Sequence, residues 1–402
     1  MERGGGRMLE PHPAALPSLH FHYGFSLSIV CGSTKTVVWM MDDKHWTWDS
    51  ATMWKKLRNF KVLLITTIVL LAVLCFRQKN QQAQQKLDIL ASISTNIRSH
   101  GLENVTYKPI KPFTILRKGN GILFMETTDR MEPPSLVLCS IESAARIYSD
   151  RPVVFFMKGL WDIITEEDVH RARKHFPTLL PYKNIYFFPL RLKELFMYTP
   201  LMPWYKKVNP KKEKYWSHVI SDACRFAMMW KHGGIYMDTD VISIHPIPKD
   251  HFAAAESSRI TSSSVFGLSP FHNVTWEFME NFVEEYKGWI WGHQGPGVFT
   301  RVIKKLCGEI VFSFLVDNTC VNLTYFHPHR FYPILYTSWE QYFEVWKYPP
   351  TFTESFGLHL WNYKNKKGIT MVPGSNTLVE NLYKKYCPFT YGAIVKNKTL
   401  YH

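Results

Sequence analysis

The chain has no Cys-x-x-Cys pair, and its seven cysteines are too few for a disulfide-built scaffold. A cysteine-paired zinc site is thereby excluded. There is no basic helix with interleaved aromatics, and the densest cationic cluster is only Lys206-Lys207 with Lys211-Lys212. The formal charge of +15 therefore reads as a solvated surface, and no nucleic-acid partner is expected. Residues 1–52 lack sustained periodicity. The long apolar run that follows them lacks the small residues of a cleavage site at its end, which argues against a removable signal peptide.

What is present suits a folded domain on a tether. Apolar residues make up 46 % of the chain, aromatics 15 % and charged residues 20 %, enough for a substantial core. The run Val62–Phe76 is apolar apart from Thr66 and Thr67, and as a helix spans roughly 25 Å when Phe60 is included. Lys55, Lys56, Arg58 and Lys61 precede it and outnumber Arg77 and Lys79 after it. That bias predicts one membrane helix with the N-terminus in the cytosol and the rest in a lumen. The expected organisation is a cytosolic tail at 1–61, a signal-anchor at 62–76, a luminal stem at 77–118 and a folded domain at 119–402. Met53 opens a typical short cytosolic tail, so residues 1–52 read as an extension upstream of the true start. The N-x-[ST] sequons at Asn104, Asn273, Asn322 and Asn397 suit an oxidising, glycosylating lumen. In that setting Cys307 and Cys320 are near enough to close a short loop, and Cys224 reads as a buried free thiol.

From Asn120 onward short apolar runs alternate with helical segments. Gly121–Met125, Pro152–Met157 and Asn184–Phe188 read as strands, and a helix starts near Pro133-Pro134. Such alternation predicts a parallel α/β sheet with covering helices, which places ligands at the carboxyl ends of its strands. Val219, Ala223, Phe226 and Trp230 recur at helical spacing, with His218, Asp222, Arg225 and Met229 on another face. This helix ends at Gly233-Gly234, and Ile235-Tyr236-Met237 runs as a strand into Asp238-Thr239-Asp240. In an extended segment residues two apart face the same side, so Asp238 and Asp240 present two carboxylates together. That is a hard-oxygen site for Mn²⁺ or Mg²⁺, and such a cation bridges diphosphate oxygens. Asp-x-Asp occurs by chance roughly once in a chain this long; its weight comes from its place after a helix, a glycine break and an apolar strand. By spacing alone Asp222 and Arg225 make an i,i+3 surface pair, with ligand binding as an equal alternative. Glu256, after Phe252–Ala255, is an acidic neighbour that the sequence does not assign as a nucleophile.

These segments resemble one family. Ser221-Asp222-Ala-x-Arg225, Trp230-Lys-x-Gly233-Gly-Ile-Tyr-x-Asp238-Thr-Asp240 and Trp289-Ile-Trp-Gly-His-Gln-Gly-Pro296 are similar to the α-1,4-glycosyltransferases. That family includes an N-acetylglucosaminyl enzyme and a galactosyl enzyme of globo-series glycolipids, and the likeness runs from about Gly121 to Tyr391. It implies a GT-A, Rossmann-like α/β domain behind a single transmembrane helix. It also implies a type II Golgi membrane protein and retaining transfer from a UDP-sugar to a galactose-terminated glycan or glycolipid, with Mn²⁺ or Mg²⁺. By resemblance Asp240 coordinates the metal, Asp238 binds metal or ribose, and Asp222 and Arg225 hold the donor sugar. His359 and Trp361, in His359-Leu-Trp-Asn362, resemble the segment that closes over the diphosphate. Read from the residues alone, both are more often core. Gln294 reaches donor or acceptor in one reading and only shapes a turn in the other.

Glu126–Pro134, Val154–Leu160 and Gly374–Tyr383 look closer to the N-acetylglucosaminyl enzyme, whereas Trp289–Pro296 with Thr300-Arg301 looks more like the galactosyl one. The leading expectation is transfer from UDP-N-acetylglucosamine in α-1,4 linkage to a terminal galactose of mucin-type glycans. The alternatives are galactosyl transfer to a lactosylceramide-type glycolipid, and a non-catalytic luminal lectin-like protein.

Overall fold

The computed structural model describes residues 26–31, 34–39, 63–74, 77, 81, 111–312 and 315–402. Most of the expected tail and stem, and the sequon at Asn104, lie outside them. The chain divides into two units, Met1–Gly101 and Leu102–His402. In the first, Ser26–Cys31 and Thr34–Trp39 pair as an antiparallel hairpin, where the sequence shows no sustained pattern. Residues 63–74 are helical, about 18 Å at the helical rise, with Leu63, Ile65, Val69 and Leu70 more than half exposed. Among the described residues no helix is long and apolar enough to cross a membrane.

The second unit is built on an eight-stranded mixed sheet. β1 (Ile122–Glu126), β2 (Val153–Met157) and β3 (Ile185–Pro189) are parallel, each within one residue of its expected start. β1 and β2 are buried along their whole length, as continuous apolar runs require of strands covered on both faces. β4 (Gly234–Met237) joins β1 in parallel, β5 (Val241–Ser243) follows it, and β6 (Phe252–Ala255) returns to the sheet. Here the all-parallel expectation fails. β7 (Thr261–Leu268) inserts antiparallel to both β4 and β6, because the connection 256–260 is of hairpin length and allows no crossover. β8 (Asn318–Cys320) and β9 (Leu323–Phe326) complete the order β8-β9-β6-β7-β4-β1-β2-β3. β10 (Gly357–His359) pairs antiparallel with β5 as a separate ribbon.

Helix α1 (Ser135–Ile147) covers the sheet, α2 (Trp216–His232) leads into β4, and α3 (Asn273–Glu284) and α4 (Pro296–Cys307) follow β7. α5 (Leu378–Tyr386) and α6 (Pro388–Val395) end the chain. Phe226 of α2 packs 5.4 Å from Phe278 of α3 and 5.6 Å from Phe299 of α4, so α2 is buried on nearly every side. It ends where Gly233 takes φ +60°, and a Cβ on Gly234 would lie 2.2 Å from the Gly121 carbonyl. Only glycine permits that approach, which sets β4 beside β1. The disulfide Cys139–Cys387 ties α1 to the α5–α6 junction, where the Glu142 carboxylate accepts the N–H groups of Phe389 (2.8 Å) and Thr390 (2.9 Å). Cys307 and Cys320 close the expected short loop, and Cys224 is a buried free thiol.

Candidate functional site

Asp238 and Asp240 occupy the turn between β4 and β5, closed by the Val241 N–H donating to the Asp238 carbonyl at 3.1 Å. The expected extended stretch stops at Met237, so a bend and not strand alternation brings the carboxylates together. The turn lies at the carboxyl end of β4, where sheets of this kind hold ligands.

Each carboxylate is held in place by its surroundings. The β5–β10 ladder sets His359 opposite Val241, and His359 Nε2 lies 3.3 Å from Asp240 Oδ1. The Asn362 N–H donates 2.9 Å to Asp240 Oδ2, while the Tyr236 hydroxyl donates 2.6 Å to Asp238 Oδ1. One ligand atom each from Asp238, Asp240 and His359 lies within 4.8 Å of the others, a group that can hold a metal ion. The donor set fits such an ion. Two carboxylates this close repel unless a cation neutralises them, and His359 Nδ1 is buried without a partner. Two carboxylate oxygens and one imidazole nitrogen are donors that a divalent metal ion accepts.

Trp361 stands behind the histidine, ring centroids 4.4 Å apart, and its Nε1–H donates 2.8 Å to the Ile334 carbonyl. It is nearly buried, as a core residue would be. Its backbone is left-handed at φ +54°, a conformation costing on the order of 1–3 kcal/mol that aims the next N–H at Asp240.

Asp222 and Arg225 are 7 % and 6 % exposed, which overturns the surface-pair reading. Arg225 Nη1 donates to the carbonyl (2.6 Å) and Oγ (3.0 Å) of Ser263. Its Nη2 lies 3.4 Å from Asp222 and 3.3 Å from Asp238. The guanidinium is thus turned inward and fixes the two aspartates. Burial opposes its charge, but Asp238, Tyr236, Asp222 and Asp240 outweigh that and hold it protonated beyond its ordinary range. Burial pushes the Asp222 carboxyl up to about 7, against the pull of Arg225 and with help from Asp238. Asp238 is likewise raised by burial, against Arg225.

Gln294 closes its own loop. It is 1 % exposed, its Oε1 accepts the Lys287 N–H at 2.9 Å, and its Nε2 donates to the Phe282 carbonyl at 2.8 Å. The next residue, Gly295, lies against Asp222, and a Cβ there would sit 2.3 Å from its carboxylate. Glu256, after β6, is raised by burial, with His359 opposing the shift. Sequence reasoning missed the roles of Tyr236 and Ser263. The available signal for Tyr236 was its position two residues before Asp238; Ser263, in a polar run, offered none.

Residues 134–259 match the family described as a glycosyltransferase sugar-binding region containing a DXD motif, and residues 267–394 the alpha 1,4-glycosyltransferase conserved region. Alpha-1,4-N-acetylglucosaminyltransferase of Homo sapiens is 50 % identical over 282 residues, covering 70 % of this chain and 83 % of that protein. Lactosylceramide 4-alpha-galactosyltransferase of Gorilla gorilla gorilla is 37 % identical, over 68 % of this chain and 83 % of its own. Among solved structures, a PaToxG glycosyltransferase overlaps at a TM-score of 0.36 with 18 % identity, over 49 % of this chain and 70 % of that one.

Proposed function

Because the chain belongs to the alpha 1,4-glycosyltransferase family, we propose that it moves N-acetylglucosamine from UDP-N-acetylglucosamine, in α-1,4 linkage, to a terminal galactose of mucin-type glycans. The observation that carries this reading is the meeting of Asp238, Asp240 and His359 within 4.8 Å, in a chain half identical to an enzyme named for that transfer. Donor and product are both α-linked, so the transfer retains configuration, either through a carboxylate nucleophile or by front-face departure and attack. We take the fold to be of the GT-A type, supported by the Asp-x-Asp turn at the end of a parallel strand.

Asp238, Asp240 and His359 would hold Mn²⁺, or Mg²⁺. Such an ion would supply positive charge against the diphosphate oxygens. Protein groups prepare the site: Asn362 and His359 fix Asp240, while Tyr236 and Arg225 fix Asp238. Asp222, drawn close to the 295 backbone, is the group we assign to hydroxyls of the donor sugar. His359, Trp361 and Asn362 belong to the segment that closes this side.

We extend the reading to a single-pass type II protein of the Golgi membrane with a luminal catalytic domain. Its support is the apolar run 62–76 with basic residues before it, and two disulfides, which persist in oxidising compartments. Digestion of the domain by protease added outside sealed vesicles would overturn it.

The experiment for the activity offers full-length protein Mn²⁺, UDP-N-acetylglucosamine or UDP-galactose, and a galactose-terminated O-glycan or lactosylceramide, with product linkage read by NMR. The expected product carries α-1,4-linked N-acetylglucosamine. Productive UDP-galactose with lactosylceramide would establish the second reading, which rests on the 37 % identity to the galactosyl relative. No transfer from either donor would defeat both and leave a lectin-like protein.

A further inference from the structure

Beside the carboxylates an aromatic surface faces solvent. Trp289 is 61 % exposed and Trp291 43 %, both on the connection between α3 and α4. Trp291 stacks on one face of Tyr363, with centroids 3.8 Å apart and planes 15° apart, and the Lys366 ammonium covers the other face at 3.5 Å. His218 meets both rings edge-on, at 4.4 Å and 4.9 Å, and Tyr215 meets Trp291 at 5.4 Å. Soluble surfaces rarely gather large aromatics in one exposed patch without a binding use.

Three segments tie the patch to the metal-competent group and to the neighbouring Asp222. Tyr363 follows Asn362, whose N–H holds Asp240. His218 lies one turn before Asp222 on α2, near enough for the Arg225 charge to act on it. The Trp289–Trp291 stretch runs into Gly295, which lies against the Asp222 carboxylate. Whatever stacks on these rings is therefore presented to the site.

We infer that Trp289 and Trp291 form the acceptor subsite, stacking beneath the terminal galactose of the glycan, with Tyr363 backing Trp291. This rests on the proposed transferase reading and deepens it by assigning residues to the acceptor. The 4-hydroxyl of galactose is axial, so the opposite ring face is lined by C–H bonds that match the electron-rich face of an indole. Stacking on that face leaves the 4-hydroxyl directed away from the rings, as the nucleophile of a 1,4-transfer must be. Glucose, with its 4-hydroxyl equatorial, aligns that face less well, so the platform discriminates between the two sugars at this carbon.

The test uses full-length wild type, Trp289→Ala, Trp291→Ala and Trp291→Phe. Methyl β-galactoside and methyl β-glucoside are titrated without donor against intrinsic tryptophan fluorescence, and acceptor and donor KM are then measured separately. The expected results are saturable quenching by the galactoside and not the glucoside, and an acceptor KM raised about tenfold relative to donor KM in each alanine variant, largely restored in Trp291→Phe. An unshifted KM ratio in both alanine variants overturns the assignment. So does quenching by UDP in place of the galactoside, since the rings would then carry the nucleobase. Galactoside quenching without any transfer or donor hydrolysis in the wild type supports the platform while defeating the transferase reading, which keeps the two failures apart.

Discussion

Arg225→Met removes the one guanidinium that lets two carboxylates share a buried corner. Methionine keeps the length and apolar stem of the side chain. It leaves Asp222 and Asp238 facing each other and takes from Ser263 both of its charged donor contacts. Removing one partner of a buried ion pair costs about 3–5 kcal/mol, because the remaining charge stays in low dielectric. For the unit Leu102–His402, the average unfolding entropy per residue sums to about 0.6 kcal/mol/K, so Tm should fall by about 5–8 °C. Asp222 softens the loss, since a carboxyl already raised to about 7 readily takes a proton. Arg225→Lys keeps the charge without the planar fork, and one ammonium cannot reach Ser263 and both aspartates together. It should cost about half as much. The contacts are buried, so added salt should change neither difference greatly. Calorimetry in the presence of a chelator, which removes any metal contribution, reads the effect. A Tm loss below about 2 °C in Arg225→Met would refute the view that this guanidinium holds the corner together.

Three further predictions concern separate parts of the molecule. His359→Ala should weaken Mn²⁺ binding by about tenfold or more, measured by electron paramagnetic resonance of free Mn²⁺, with Asp240→Asn as the comparison; equal affinity in His359→Ala would remove the imidazole from the ligand set. Removing Cys139–Cys387 should destabilise the unit more than removing Cys307–Cys320, since the sequence separations are 248 and 13. Chain entropy puts these at about 5 and 3 kcal/mol, to be compared as denaturant midpoints of the two double-serine variants. Burial alone would raise Glu380, but the N–H groups of Gly374 and Asn376, the Tyr391 hydroxyl and Lys384 outweigh it and hold the carboxyl down, from 4.5 to about 2. A depressed folded pKa stabilises above the unfolded value and is lost on acidification. Glu380→Gln should therefore be less stable than wild type at neutral pH, with the gap closing as pH falls from 4.5 towards about 2; a gap independent of pH would falsify this account.

The parallel half of the sheet was legible because β1, β2 and β3 are runs dominated by apolar residues, and Gly233-Gly234 marks a helix end that only glycine can make. β7 was not legible. It begins Thr261-Ser262-Ser263-Ser264, a composition that reads as loop, yet all four residues are buried. Their hydroxyls are satisfied from a distance: Ser263 by Arg225, and Ser262 and Ser264 by the Tyr332 hydroxyl at 2.5 and 2.7 Å. No local pattern encodes such partners. The same limit applies to the site. Asp238 and Asp240 declare themselves by spacing, whereas Asn362 reaches Asp240 across 122 residues, so His359 and Trp361 entered only by resemblance. Gln294 illustrates the opposite case: its glycine-bounded turn position was legible, and its amide serves that loop, through Lys287 and Phe282, instead of a ligand.

The β5–β10 ribbon has a consequence for the chain as it is made. Its first strand leaves the ribosome soon after the Asp-x-Asp turn, but its partner Gly357–His359 emerges only after every strand of the eight-stranded sheet, and Cys139 waits longer still for Cys387. A nascent or truncated chain ending before residue 357 carries both aspartates, yet lacks the imidazole and the N–H that fix Asp240. Synthesis past Asn362 thus acts as a quality check on the site: the metal-competent group exists only once His359 has joined the two aspartates, and the Cys139–Cys387 bond can close only after that.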